Sequence, residues 1–71
     1  MPKPLREVIG DRVERALADV AMSPADLARA TGFSEATVSL VRAGRRSPSV
    51  ELLVEMAKAL EVSTDYLLGI K

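Results

Sequence analysis

The side chains able to do chemistry are few. The chain has neither Cys nor His, which removes thiol nucleophiles, disulfides and the commonest zinc ligands together. Acid–base catalysis would then fall to paired carboxylates, or to an activated Ser or Lys, in a pocket. A chain of 71 residues has little interior for one. Asp26 and Glu35 read as helix-surface acids, so the expectation is no enzyme, no metal site and no cofactor. What remains is a cluster of guanidinium groups. Between residues 29 and 46 stand Arg29, Arg42, Arg45 and Arg46 against one acid, Glu35. The formal net charge of zero argues mildly against a polyanionic partner, but the balancing acids lie outside this stretch. Within a Debye length of about 8 Å the local sign outweighs the total.

The segment that must position these groups runs from Ser23 to Leu40, and its boundaries are punctuated. Ser23 suits a helix N-cap and Pro24 the first helical position, where a missing N–H costs nothing. Leu27, Ala28 and Ala30 supply the inner face of that helix. Gly32 follows the last periodic residue, Phe33 turns inward, Ser34 caps again, and Val38 anchors the next helix. Two short helices joined by a three-to-four-residue turn containing Gly form a helix-turn-helix.

Around this pair the pattern predicts three more helices. Pro4 opens the first. Leu5, Val8, Ile9, Val13, Ala16, Leu17 and Val20 recur at three- and four-residue steps, the stripe of an amphipathic helix of about 16 residues. Gly10 inside it costs up to ~1 kcal/mol, which would allow the helix to start near Asp11. Asp11 and Arg15 form an i,i+4 pair, and Met22 fills the core beyond the helix. Val41 to Pro48 reads as a helix end, a Gly terminator and a basic loop. Ser49 caps a fourth helix with Val50, Leu53, Met56, Ala57 and Leu60 inward and Leu52 flanking. A short fifth helix begins near Ser63-Thr64 and carries Tyr66, Leu67 and Leu68. No run has the alternation of a strand. The expectation is one all-α domain of five helices over 1–71, residues 1–8 being an N-terminal helical extension.

In order and spacing, a set of these residues resembles the lambda-repressor-like (Cro/repressor, XRE-type) helix-turn-helix family over about residues 9–69. The resemblance is carried by Leu27-Ala28, Gly32, Ser34, Thr37-Val38-Ser39, Gly44-Arg45-Arg46, Pro48-Ser49, Met56-Ala57-Lys58-Ala59-Leu60 and Val62 to Gly69. It implies sequence-specific binding of double-stranded DNA by a transcriptional regulator. Such a regulator acts as a homodimer on a palindromic operator, the third helix lying in the major groove. The chain departs from the family at three places. Pro24 stands where a phosphate-binding Gln is common. Val41-Arg42-Ala43 replaces an aromatic, a Glu and an Asn. Leu17 occupies the position of the Arg that usually pairs with that Glu, which leaves Arg42 free for phosphate.

The resemblance implies base readout by Ser34, Glu35, Ala36, Thr37 and Leu40. Glu35 would accept from a cytosine amino group, and Ala36 or the Thr37 methyl would pack on a thymine methyl. Backbone contacts fall to Ser39, Arg42, Gly44, Arg45 and Arg46, with further N–H donors from the Gly44 loop. Tyr66, Leu67, Leu68 and Ile70 form the expected dimer patch, with Leu5, Val8 and Ile9 the second candidate. The alternative function is a protein-interaction module, antitoxin-like or adaptor, on the same scaffold. Apolar surface at Ala36, Leu40 and Val41 would then dock a protein partner. No apolar run reaches the roughly 18 residues of a membrane span, and Met1-Pro2-Lys3-Pro4 does not open a signal peptide. The expected setting is cytoplasmic, without a membrane partner.

Overall fold

The computed structural model describes residues 2–70, and these form five helices and no strand: α1 Leu5–Val20, α2 Pro24–Thr31, α3 Glu35–Arg42, α4 Val50–Leu60 and α5 Thr64–Leu67. Serine hydroxyls set the start of four of them. Ser23, Ser34, Ser49 and Ser63 accept from the N–H of Asp26, Thr37, Leu52 and Tyr66, at 3.0–3.1 Å. Each bond satisfies one of the unpaired donors that a helix N-terminus leaves. At α2 the cap is reciprocal, because the Asp26 carboxylate accepts from the Ser23 N–H, the capping-box arrangement. Helices α1 and α4 end alike, on a left-handed residue that is not Gly: Ala21 at φ 54° and Glu61 at φ 57°. In both, the next residue (Met22 or Val62) donates back into the last turn, closing the carbonyls as a glycine C-cap would.

The core draws on every helix: Ile9, Val13, Ala16 and Leu17 from α1, Leu27 and Ala28 from α2, Val38 and Val41 from α3, Leu52, Met56, Ala57 and Leu60 from α4, and Leu67 from α5. Met22 and Phe33 pack against it, half-buried. Five expected inward positions differ. Ala30 is exposed and Thr31 buried instead, because Thr31 stitches the turn. Its Oγ1 donates to the Ala28 carbonyl and accepts from the Phe33 N–H. On α4, Leu52 is buried, Leu53 only half-buried, and Val50 is 74% exposed, since the inward arc begins at Leu52. The ends of the α1 stripe, Leu5 and Val20, are exposed.

Helix α1 passes straight through Gly10 rather than starting after it. Gly10 is buried where α1 crosses the end of α3. A Cβ there would lie 2.8 Å from the Arg42 carbonyl oxygen and 3.0 Å from both the Val41 carbonyl oxygen and the Gly44 nitrogen. The glycine lets the backbones of α1 and α3 touch. Asp11, expected to pair with Arg15, is instead ion-paired with Lys3. That bond, then its charge, holds the Asp11 carboxyl below its ordinary value, with Arg15 a lesser contributor. No helix among the described residues is long and apolar enough to cross a membrane.

Candidate nucleic-acid interface

Helix α3 is held by its two buried valines. Val38 and Val41 turn one side of it into the core, so a 3.6-residue period aims Ala36, Ser39 and Leu40 the opposite way. All three are exposed, as are Ser34 and Glu35 at the N-terminus, while Leu40 has 41% of its surface open. Thr37 is half-buried, and the Ser34 hydroxyl donates to its Oγ1 at 3.0 Å. Of the five residues assigned to base readout, Ser34, Glu35, Ala36 and Thr37 stand at the α3 N-terminus and Leu40 in its last turn; Ala36 and Leu40 share the outward side, and the Ser34 and Thr37 hydroxyls are bonded to each other.

The basic rim is narrower than the sequence suggested. Arg45 and Arg46 are exposed, and neither enters an ion pair or a side-chain hydrogen bond among the described residues. Arg29 is tied to Asp26 within α2. Arg42 is not free: its Nη1 donates to Glu14 Oε1 of α1 at 2.7 Å. Its Nε is buried without a hydrogen-bond partner among the described residues. An ion pair therefore joins the first and third helices, acid on α1 and base on α3. Glu14 lies one turn before Leu17 and 28 residues from Arg42, too far for any local pattern to link them. The Gly44 loop is also less rich in donors than expected. Its Gly44 and Arg45 N–H groups are spent on the Val41 and Leu40 carbonyls, both at 3.0 Å.

At the far end, α5 packs on α1. Arg12 stands 4.8 Å from the Tyr66 ring centroid and donates to the Tyr66 carbonyl, a cation–π contact backed by a hydrogen bond. Gly69 abuts Val8 so closely that a Cβ would come within 2.6 Å of Val8 Cγ1. Of the patch residues, Leu67 is fully buried and offers no outer surface, because α5 uses it to close the core; Ile9, in the second patch, is buried too. Tyr66 and Leu68 are half-buried, and Ile70 is 67% exposed. Leu5, one turn before Val8, is also exposed. The two candidate patches thus meet at the Val8–Gly69 contact.

A helix capped at Ser34, held on a five-helix core and followed by two arginines that form no ion pair among the described residues, defines a helix-turn-helix domain. Comparison with known proteins agrees. The family model described as Helix-turn-helix (HTH_3) matches residues 14–67, and the chain belongs to this XRE-type helix-turn-helix family of DNA-binding transcription regulators. It is 32% identical over 59 residues to the uncharacterized HTH-type transcriptional regulator y4dJ of Sinorhizobium fredii, covering 83% of this chain and 77% of that one. Among solved structures it is similar to the clp gene regulator ClgR from Corynebacterium glutamicum, with TM-score 0.86 and 34% identity over 94% of this chain and 72% of that one. It is also similar to the restriction-modification controller protein C.AhdI from Aeromonas hydrophila, with TM-score 0.79 and 25% identity over 84% and 91% of the two chains.

Proposed function

We propose that this chain binds a specific sequence of double-stranded DNA as a homodimer on a palindromic operator, and regulates transcription by occupying it. Helix α3 enters the major groove with Glu35, Ala36 and Leu40 toward the base edges, Ser34 and Thr37 lying beside them. Arg45 and Arg46, with the exposed hydroxyl of Ser39, hold the phosphate backbone. Arg42 has only the donors its bond to Glu14 leaves over for a phosphate. The observation that carries this reading is the pairing of an exposed α3 surface with two arginines, Arg45 and Arg46, that enter no ion pair among the described residues.

Dimerisation is proposed through Ile70, Leu5 and the exposed parts of Tyr66 and Leu68. Two-fold symmetry would set the half-sites about 34–36 Å apart. The test is selection of bound duplexes from a random library, followed by salt titration of the enriched sequence. Arg45→Ala/Arg46→Ala should weaken all sites alike and flatten the log–log salt slope by about 1.8 per half-site. Glu35→Ala should relax preference at one position. An unenriched library would end the proposal, and retention on a protein partner that ignores salt would favour the interaction-module alternative.

A further inference from the structure

The groove-facing side of α3 carries no Gln, Asn, Lys or Arg. Those four side chains make the bidentate bonds by which a helix reads guanine and adenine. At the centre of the face stand Ala36 and, one turn on, Leu40, the latter 41% exposed despite a core that had room for other leucines. Around them the Ser34 and Thr37 hydroxyls bond each other, which leaves the exposed carboxylate of Glu35, beside Ala36 in the first turn, as the hydrogen-bonding group able to read a base, and it can only accept.

Every base edge in the major groove presents hydrogen-bond donors or acceptors, and one presents an apolar group as well, the 5-methyl of thymine. Pressing Leu40 onto the N7, O6 or N4 atoms of other bases strips water from polar groups and offers nothing in return. Pressing it onto a thymine methyl buries apolar surface on both sides. Four residues along a helix rise about 6 Å, and consecutive bases are about 3.4 Å apart, so Ala36 and Leu40 span no more than two base steps.

Resting on the DNA-binding reading above, we propose that this chain recognises its operator chiefly through thymine methyl groups, read by Leu40 with Ala36 beside it. Each half-site then carries a thymine opposite Leu40, and the methyl itself, rather than a hydrogen bond, is what is selected. The arginine rim supplies the affinity and holds α3 at the depth where this contact forms.

The test replaces thymine by deoxyuridine, one position at a time, in the duplex enriched from the random library. The exchange removes the methyl and keeps every hydrogen-bonding group. Binding is followed by fluorescence anisotropy at fixed salt, with wild type and Leu40→Ala. At one position per half-site the exchange should lower wild-type affinity about fourfold, the value of one buried methyl-sized group. In both half-sites together it should lower affinity about fifteenfold. Leu40→Ala, whose fold is checked by circular dichroism, should bind thymine and uracil duplexes equally. Wild-type protein that binds its enriched duplex with salt-dependent affinity but ignores the exchange at every position overturns this inference and leaves the DNA-binding reading standing. Failure to enrich any duplex overturns both.

Discussion

Substituting Gly10 by Ala tests the placement of α3 from the opposite side of the molecule. Two effects compete. Alanine gains up to about 1 kcal/mol over glycine in a helix interior, and an unobstructed site would show that gain. Here the added methyl would sit 2.8–3.0 Å from three backbone atoms of the α3 terminus, so α1 and α3 must part by roughly half an ångström to reach ordinary contact of about 3.5 Å. These are not yielding neighbours. The Val41 carbonyl accepts from the Gly44 N–H, so moving either atom loosens the turn that ends α3. Overpacking of this kind costs about 1–3 kcal/mol, and less a propensity gain of about 1 kcal/mol the net loss is up to about 2 kcal/mol. In a domain of this size that lowers the thermal midpoint by up to roughly 15 °C. Urea and thermal unfolding followed by circular dichroism would measure it. A raised midpoint would refute the backbone contact, and with it the placement of α3 against α1.

Three further outcomes follow from particular contacts. Glu61→Gly should raise stability by about 0.5–1 kcal/mol in urea unfolding, because the left-handed conformation costs an L-residue about 1–2 kcal/mol and glycine's extra freedom returns only part of the gain. The Asp26 carboxyl is held below its ordinary value, chiefly by the Ser23 backbone N–H and next by the Ser23 hydroxyl. Its contribution to stability is complete above the ordinary carboxylate value and lost as pH falls through the lowered one. The thermal midpoint of wild type should therefore decline below about pH 4 more steeply than that of Asp26→Asn, and parallel curves would discount the capping box. Ile70→Asp combined with Leu5→Asp should leave helix content intact, shift sedimentation to the monomer and weaken operator binding. A dimer that persists would place the interface elsewhere.

The helices were legible in the sequence because their signals are local. A serine three residues ahead of the N–H it caps, a proline behind it and a glycine past the end act within one turn, and the caps expected at Ser23, Ser34 and Ser49 are found there, with Ser63 a fourth. The outward set on α3 was legible for the same reason, since Val38 alone fixes the phase of so short a helix. What was not legible depends on partners far along the chain. Gly10 looks like a defect in α1 until the end of α3 is laid across it. Glu14 and Arg42 meet only through the fold, and Asp11 exchanges a neighbour on its own helix for Lys3 before the helix begins. Leu67 was given to the dimer patch because α5 is too short for periodicity to separate its inner residue from its outer ones.

The Glu14–Arg42 ion pair bears on how this domain can be re-engineered. A glutamate placed at position 42 would set a like charge against Glu14, a modest penalty because both side chains are partly exposed. A graft of a foreign α3 is therefore best made with positions 14 and 42 exchanged together, so that the two helices travel as a matched pair.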